Sequence, residues 1–374
     1  MKWLLNLSRG SIGVVMKRRI DQVLTGVAKG DAITNMAFSI RDELREYVDS
    51  DIYVEFVLSK ELEDEVYYLQ DQKPDLLVDL TLFHASYGRP QVTQHILSRN
   101  EKLAISYHNI SPTEIYVKDN AEFAVGLEWG RYELSLLRDR VKLSFADSQF
   151  NLKDLEQYGY TDVHLAPVGL TPRRLTSLPY DSRLIERLNR TFPDGFVVGV
   201  GQVLPHKRVE QLIETIHLVN SVHDKNLGLV LVGAARQEKY LEAIDQHRKS
   251  LPFVNVELLG SVKDQELATV YRMAKCYFGM SDHEGLCIPP LEAMSFGLPV
   301  VIKGTGAIPE TLKDAAVVLP ANASVTLASE AIVEVIDNAN LRAVLATRGY
   351  ELIQNIVLNE GTQRSVQKML ELIA

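Results

Sequence analysis

The sequence predicts two doubly wound α/β domains in tandem, facing each other across a cleft. Apolar runs of strand length alternate with stretches of helical periodicity along the whole chain, which is typical of parallel sheets covered by helices. The segment 166–174 contains two prolines and a glycine without periodicity, and we interpret it as a linker. The 374 residues are enough for two domains of ordinary size.

The first predicted domain covers residues 1–170. Its clearest helical stretches are 31–47 and 115–137. Its strand candidates, in chain order, are 2–8, 51–58, 75–82, 103–110, 141–148 and 163–169.

The second predicted domain covers residues 171–355 and shows the same alternation. Its strand candidates are 196–203, 228–234, 254–262, 276–281, 299–304 and 315–320. The pattern from 324 onward is helical, and we expect a last helix, 356–374, to pack back toward the first domain. Ligands of such sheets bind outside the carboxyl ends of the strands, so motifs at those ends are the first candidates for a site.

The composition is that of a globular protein and argues against nucleic acid as a partner. The net charge is −9 and the pI is near 5.6, whereas phosphate contacts need a basic surface. Cys276 and Cys287 lie in apolar surroundings, which indicates reduced thiols in a cytoplasmic protein. No apolar run approaches the ~18 residues of a membrane span, so we expect a soluble or surface-attached protein.

A basic amphipathic segment follows the predicted first strand. Its apolar residues fall on one helical face, beside a cluster of three cations. The apolar residues are Ile12, Val15, Met16, Ile20, Val23, Leu24 and Val27, and the cations are Lys17, Arg18 and Arg19. Such a helix either packs on its own domain or, through residues 11–28, makes peripheral contact with an anionic membrane on the inner face of the cytoplasmic membrane.

Two glutamates, Glu284 and Glu292, stand eight positions apart after the strand candidate 276–281. Pro289 and Pro290 suit the first turn of a helix, where a missing N–H is tolerated. Glu284 is therefore expected on a loop facing the cleft, and Glu292 in the first helical turns.

The start of this helix is a predicted anion site. The amides of Leu286, Cys287 and Ile288 are expected to point out of the helix start, where the dipole favours phosphate. Carboxylates on both sides accept hydrogen bonds from hydroxyls, so the combination indicates a sugar nucleotide. The alternative is that Glu292 stabilises the helix terminus and Glu284 is solvated.

The segment EGLCIPPLEAMSFGLPVV resembles the E-x7-E signature of the family 4 retaining glycosyltransferases, and most closely their bacterial members that build surface polysaccharides and O-antigen. The resemblance extends over nearly the whole chain and implies the GT-B fold, with two Rossmann-like domains across a cleft. It implies that Glu284 contacts hydroxyls of the donor sugar and that Glu292 hydrogen-bonds the ribose. The amides from Gly285 to Ile288, including those of Leu286 and Cys287, would cover the donor pyrophosphate.

The loop after the strand at 196–203 also resembles the family, with one departure. Gly201 and Lys207 match, and the resemblance assigns Lys207 the neutralisation of the departing pyrophosphate. The family has an arginine where this chain has Gln202, so one fixed cation is missing, and Arg208 is the candidate to replace it. The alternative for Lys207 is a solvated lysine at a helix start.

Further site residues follow from the resemblance. It places the nucleotide base near Gly260 and Val262, and His108 beside the donor sugar at the reaction centre. It also places Gly30 and Asp31 at the cleft. The alternatives are an ordinary turn at Gly260, a histidine in a polar loop, and a helix cap at Asp31.

We expect no cofactor and no metal. The literal D-x-D, residues 49–51, lies at the amino end of a strand, and no other set has metal-ligand spacing. The expected reaction is metal-independent, retaining transfer from a nucleotide-sugar donor to a glycan or lipid-linked saccharide. The rival functions are a hexosamine-nucleotide epimerase, a catalytically weak nucleotide-sugar binding protein and, least favoured because its glycine pattern breaks at Leu204, a nicotinamide dehydrogenase.

Overall fold

The computed structural model describes residues 17–118, 120–167, 172–357 and 361–374. These residues form two parallel sheets, one in each half of the chain. Helices cover both faces of each sheet, and each sheet has its own core clusters. The predicted fold class, two doubly wound α/β domains, is confirmed.

In the first sheet, the strand that comes first in the chain lies in the interior and not at an edge. Its strands are β1 (Ile20–Val27), β2 (Ile52–Val57), β3 (Tyr67–Tyr68), β4 (Leu80–Ala85), β5 (Lys102–Tyr107), β6 (Val141–Ala146) and β7 (Val163–Leu165). Their order is β3-β2-β1-β4-β5-β6-β7, so the winding direction reverses between β1 and β4. The crevice at such a reversal is where doubly wound sheets bind ligands.

The second sheet repeats this design with one strand fewer. Its strands are β8 (Phe196–Val200), β9 (Gly228–Val232), β10 (Asn255–Gly260), β11 (Tyr277–Gly279), β12 (Val300–Lys303) and β13 (Val317–Leu319). Their order is β10-β9-β8-β11-β12-β13, with the reversal between β8 and β11. The loops after β8 and β11 carry the lysine and glutamate motifs.

The helices follow the predicted periodic stretches. They are α1 (Ala32–Leu44), α2 (Pro90–Ser98), α3 (Ala121–Leu137), α4 (Gln149–Gln157), α5 (Pro172–Thr176), α6 (Ser182–Thr191), α7 (Val209–Val222), α8 (Glu238–Ser250), α9 (Asp264–Met273), α10 (Ile288–Ser295), α11 (Ile308–Leu312), α12 (Val325–Asp337), α13 (Ala339–Val357) and α14 (Gly361–Ile373). Several begin at side chains that cap free N–H groups, such as Ser148 before α4. In the part of the chain that the structure describes, no helix combines the length and apolarity needed to cross a bilayer.

The prediction of an amphipathic helix over residues 11–28 is wrong for residues 20–27. These residues form β1, the third strand of its sheet, and Ile20, Val23, Leu24 and Val27 are all buried. A strand buried on both faces carries apolar residues without a strict alternation, so its pattern can imitate a helical stripe. The proposed membrane contact through 11–28 therefore has no support over β1, while the predicted strand 2–8 and residues 11–16 lie outside the described residues.

One predicted strand of the first domain is shifted in the structure, and one observed strand was not predicted. The run predicted at 75–82 becomes β4 at Leu80–Ala85, and the short edge strand β3 was not predicted. The last helix, α14, packs on the first domain, where Val366, Met369 and Ile373 join the core cluster of Ile20 and other first-domain residues. This contact ties the end of the chain to its first half.

Candidate active site

The carboxyl ends of the two sheets face each other, and loops from both domains meet there. Ser148, directly after β6, donates to the carbonyl oxygen of Gly285 at 2.7 Å. The Nε2 of His283 pairs with Oδ1 of Asn109, which follows β5. The glutamate loop between β11 and α10 is thus held by first-domain residues.

Lys207 and Glu284 form an ion pair at the centre of this meeting point. Lys207 Nζ lies 2.7 Å from Glu284 Oε1, and their side chains are 21% and 8% exposed. Burial opposes both charges, but the lysine outweighs it and lowers the pKa of Glu284. The carboxylate likewise outweighs burial and raises the pKa of Lys207. Two of the three predicted catalytic residues, Lys207 and Glu284, are therefore charged and in direct contact, whereas the third, His108, lies elsewhere in the site.

Close backbone packing fixes the position of Glu284. Ala307 N–H donates to the carbonyl oxygen of Glu284 at 2.9 Å. A Cβ on Gly306, whose φ is +57°, would lie 2.1 Å from that oxygen, and a Cβ on Gly285 would lie 2.6 Å from Asn109 Cβ. Larger residues at either glycine would push the glutamate loop away from its neighbours.

The start of α10 carries the amides that the sequence analysis names, and their role in binding an anion stays a prediction. Cys287 is the N-cap residue, with φ of +68°, and no side chain caps the helix. Pro289 and Pro290 occupy the second and third helical positions and have no N–H. Of the donors that open a helix, those of Cys287 and Ile288 remain, with Leu286 in the loop before them. An anion at this terminus would meet two or three N–H groups.

Glu292 lies in the second turn of α10, away from the Lys207–Glu284 pair. Its Oε2 accepts from the Tyr271 hydroxyl at 3.0 Å, and Arg174 is 4.0 Å from Oε1. Burial raises the pKa of Glu292, partly offset by the tyrosine hydrogen bond. The Glu292 side chain keeps 18% exposure, which leaves room for a ligand hydroxyl to approach it.

Arg208 does not supply a free cation in place of the missing arginine. Its Nε pairs with Asp282, and its other contact is Glu210, 3.2 Å away. Arg208 lies between the turn containing Lys207 and helix α7, and its own backbone is in the left-handed conformation, with φ of +51°. Gln202 is exposed on the loop beside Gly201. Lys207 has one carboxylate partner, Glu284, whereas Arg208 has two, so Lys207 stays the candidate cation for a phosphate.

His108 belongs to a buried chain of polar side chains that runs across the first sheet. Its Nδ1 lies 2.8 Å from Asp147 Oδ2, and its Nε2 lies 2.9 Å from Nδ1 of His84. The Nε2 of His84 lies 2.8 Å from Gln22 Oε1. Each of these residues stands on, or directly after, one of the adjacent strands β1, β4, β5 and β6.

The hydrogen bonds determine where the protons of this chain lie. Gln22 donates through Nε2 to a backbone carbonyl, so its Oε1 must accept from His84. Burial lowers the pKa of His84 well below its usual value, so His84 is neutral and its Nδ1 accepts from His108 Nε2. The other nitrogen of His108, Nδ1, then faces Asp147 Oδ2. Neither ring nitrogen of His108 is open to a ligand in this arrangement, and its role at the reaction centre stays a prediction.

The remaining predicted residues lie at strand ends, apart from the ion pair. Gly30, with φ of +76°, is exposed after β1, and Asp31 caps α1 by accepting from Thr34 N–H at 2.9 Å. Gly260 ends β10 with open space around it, and Val262 follows it, half-buried. Their binding roles stay predictions.

Sequence reasoning missed the contacts that join the domains. The Tyr116 hydroxyl, in the first domain, pairs with His206 Nδ1, directly beside Lys207. Burial lowers the pKa of His206 to about 3, and the neighbouring lysine adds to the shift. His84 and Asn109 could have been found from the sequence, because each is a polar residue at, or just after, the end of an apolar strand candidate. No group of three or more potential metal ligands occurs within the described residues.

A family model matches most of the second domain. Residues 184–352 match the family described as Glycosyl transferases group 1. The match begins in α6 and ends in α13, so it includes both the lysine and the glutamate loops. The resemblance drawn from the E-x7-E segment is confirmed for this domain.

Curated relatives match at low identity. The serotype-specific mannosyltransferase WbdA of Escherichia coli is 26% identical over 46% of this chain and 22% of its own length. The O-antigen chain mannosyltransferase B of Escherichia coli is 27% identical over 41% of this chain and 40% of its own. A GDP-mannose-dependent monoacylated α-(1-6)-phosphatidylinositol monomannoside mannosyltransferase of Corynebacterium glutamicum is 27% identical over 49% of each. The matched part thus spans less than half the length of each relative.

Solved structures match over nearly the whole chain. Anabaena Alr3699/HepE, in complex with UDP and glucose, superposes with a TM-score of 0.73 at 15% identity, covering 94% of this chain and 99% of its own. WaaG, a glycosyltransferase involved in lipopolysaccharide biosynthesis, gives 0.70 at 13% identity, covering 93% and 98%. These matches confirm the predicted GT-B fold.

Proposed function

We propose that this protein transfers a sugar from a nucleotide-diphosphate sugar to a hydroxyl of a glycan or lipid-linked acceptor, retaining the anomeric configuration and using no metal. The observation that carries the proposal is the Lys207–Glu284 pair, 2.7 Å apart at the domain interface beside the uncapped start of α10. It combines a cation for a diphosphate with a carboxylate for sugar hydroxyls. We assign the transfer to polysaccharide assembly, because one relative bears an O-antigen name and one similar solved structure a lipopolysaccharide name. A cytoplasmic location is part of the same proposal.

The donor takes the following position in this proposal. The diphosphate lies between the Lys207 ammonium and the amides of Cys287 and Ile288, where the helix dipole also favours negative charge. Glu284 accepts hydrogen bonds from the transferred sugar, and Glu292 accepts one from the ribose. The base lies against the backbone at the end of β10. Because several relatives are mannosyltransferases and the Corynebacterium glutamicum relative is named for GDP-mannose, GDP-mannose is the first donor to test.

The reaction breaks the bond between the anomeric carbon and the diphosphate oxygen, and forms one from that carbon to the acceptor oxygen. Negative charge develops on the departing phosphate, where the Lys207 charge lowers the barrier most. The acceptor attacks from the face that the diphosphate leaves, and its proton passes to the departing phosphate oxygen. Closure of the cleft excludes water, which would otherwise hydrolyse the donor.

Thermal unfolding with GDP, UDP, dTDP, ADP and NAD tests donor binding. A ligand at a hundred times its dissociation constant adds about 2.7 kcal/mol of stability. We expect one of the four nucleoside diphosphates to raise the unfolding midpoint of the native protein and to raise that of Lys207→Met much less. A shift with NAD alone, or with none of the diphosphates, would refute the proposal.

Product analysis with the donor so identified tests the reaction itself. We expect the sugar to appear on an acceptor hydroxyl with its anomeric configuration unchanged. Release of an epimerised nucleotide sugar would instead identify an epimerase. Donor binding without either product would identify a binding protein.

A further inference from the structure

A long groove with both polar and apolar lining runs along helix α2 of the first domain, outside the site described above. Its larger part has a volume of about 670 Å³ and lies between α2 and the segment that follows the edge strand β3. A second part of about 440 Å³ continues it and shares His95 and Ser98 with the first. Grooves of this size commonly hold small organic ligands.

One face of α2 forms the wall of this groove. Gln91, Gln94, His95 and Ser98 line it, at the spacing i, i+3, i+4 and i+7 that places residues on one side of a helix. Val92, Thr93 and Ile96 of the same helix are buried in the domain. The exposed face is therefore made of amide, imidazole and hydroxyl groups, which both donate and accept hydrogen bonds.

The opposite wall adds an aromatic ring and further amides. Tyr68 of β3 is 36% exposed and lines the groove together with Gln70. A tyrosine ring offers a flat apolar face and a polar tip, both of which suit a partner with alternating C–H and O–H groups.

The groove carries little net charge. Glu55, in its larger part, pairs with Arg89, whose NH2 and Nε lie 3.0 and 3.2 Å from Oε1. His95 Nε2 lies 2.7 Å from Gln72 Oε1, and burial lowers the pKa of His95, so it is neutral at physiological pH. Arg99 in the second part is paired with Glu101, so a nucleotide or other anion would find no unpaired cation among these lining residues. The second part also carries Pro74, Leu76, Leu77 and Val78, so a ligand there meets apolar surface as well as hydrogen-bonding groups.

The direction of α2 connects the groove to the active-site edge. The helix begins at Pro90, after the carboxyl end of β4, and runs back toward the amino ends of the strands. Gln91 therefore lies near the edge where the two domains meet, and Ser98 lies at the far end. A chain-like ligand in the groove would have one end near the cleft and the other away from it.

We infer that this groove binds a neutral saccharide chain, and that it holds the sugars of a glycan acceptor that lie behind the acceptor hydroxyl. The inference rests on the proposed function for the identity of the acceptor, but binding of the saccharide can be measured without any transfer. Hydroxyl-rich sugars match the neutral donors and acceptors of α2, and their C–H faces match the Tyr68 ring.

The test measures binding of two oligosaccharide ladders of increasing length, one α-mannosyl and one α-glucosyl, to the full chain by isothermal titration. We expect the affinity for at least one ladder to rise with length. Tyr68→Ala and Gln94→Ala should each lower the affinity for its longest member about three- to tenfold, the effect of one lost hydrogen bond or packing contact. Gln246→Ala, which removes an exposed glutamine from α8 of the second domain, should bind as the native protein does.

Two results would overturn the inference. One is that neither ladder binds, or that affinity does not depend on length; the other is that the Tyr68 and Gln94 variants bind like Gln246→Ala. Both altered side chains are exposed, and an unchanged melting temperature verifies that the variants fold. The donor experiment separates the two proposals: a diphosphate-dependent rise in midpoint without saccharide binding would refute the groove alone, whereas its absence would refute the donor site.

Discussion

Replacing Lys207 by methionine should destabilise the protein much more than an equivalent change at the surface. The two charged atoms lie 2.7 Å apart, and with an effective dielectric constant of about 20 they attract each other by about 6 kcal/mol. The net contribution is smaller because both ions lose hydration on folding. Since Glu284 is 8% exposed, its carboxylate would stay buried without a partner, and we expect a loss of about 2–4 kcal/mol near neutral pH.

The loss should depend on pH in a definite direction. In the native protein the pKa of Glu284 is lowered, so its contribution is present above the unfolded value of about 4.3 and is lost as the pH falls through the folded pKa. In Lys207→Met, burial is no longer offset by the lysine and should raise the pKa of Glu284 above the unfolded value. The contribution is then most favourable at acid pH and is lost as the pH rises. The stability gap between the two proteins should therefore be widest near pH ~7.5 and narrow toward pH ~4.

Scanning calorimetry over this pH range measures the gap, and Lys225→Met provides the matched control. Lys225 pairs with Asp337 at 2.9 Å, but its side chain is 27% exposed and that of Asp337 is 55% exposed. Such a surface pair contributes about 0–1 kcal/mol. The reasoning is refuted if Lys207→Met loses no more than Lys225→Met near neutral pH, or if its deficit is the same at both ends of the range.

Three further predictions concern the reaction and the domain interface. Glu284→Gln should slow sugar transfer about 10²–10³-fold, measured as release of nucleoside diphosphate, because a charged contact in the transition state is lost; a native rate would remove Glu284 from the reaction. Burial lowers the pKa of His206 to about 3, so the free energy of unfolding of the native protein should fall as the pH falls from about 6.5 toward 3. His206→Gln should reduce this dependence of stability on pH by up to about 1.4 kcal/mol per pH unit. Equal pH dependence for the two proteins in urea titrations would contradict the lowered pKa. Excess EDTA should leave the transfer rate unchanged, because Lys207 and the helix-start amides supply the countercharge, whereas a loss reversed by added Mg²⁺ would show that a metal takes part.

Much of the second domain could be predicted from the sequence because its signals are local. Each predicted strand from 196–203 to 315–320 contains an observed strand, since buried parallel strands read as short apolar runs. The loop position of Glu284 and the helical position of Glu292 also followed from neighbouring prolines and glycines.

The first domain shows where such signals mislead. The apolar residues of β1 have a spacing that also fits a helix. They form a strand because the segment pairs with β2 on one side and β4 on the other, and no short segment of sequence encodes that pairing. The apparent cation cluster beside it forms ion pairs, with Lys17 on Asp49 and Arg19 on Asp21. A local pattern of charge and apolarity therefore suggested a surface helix where the chain forms an internal strand.

The sequence by itself determined the two-domain α/β architecture, the loops that carry Lys207 and Glu284, and the chemical character of those side chains. Tertiary structure alone decided which groups touch: the 2.7 Å ion pair, the His84–His108 chain, and the contacts of Tyr116 and Asn109 across the cleft. The physical reason is that backbone propensity and hydrophobic period act over a few neighbouring residues. Hydrogen bonds and ion pairs between distant residues depend instead on how strand order and domain packing bring them together.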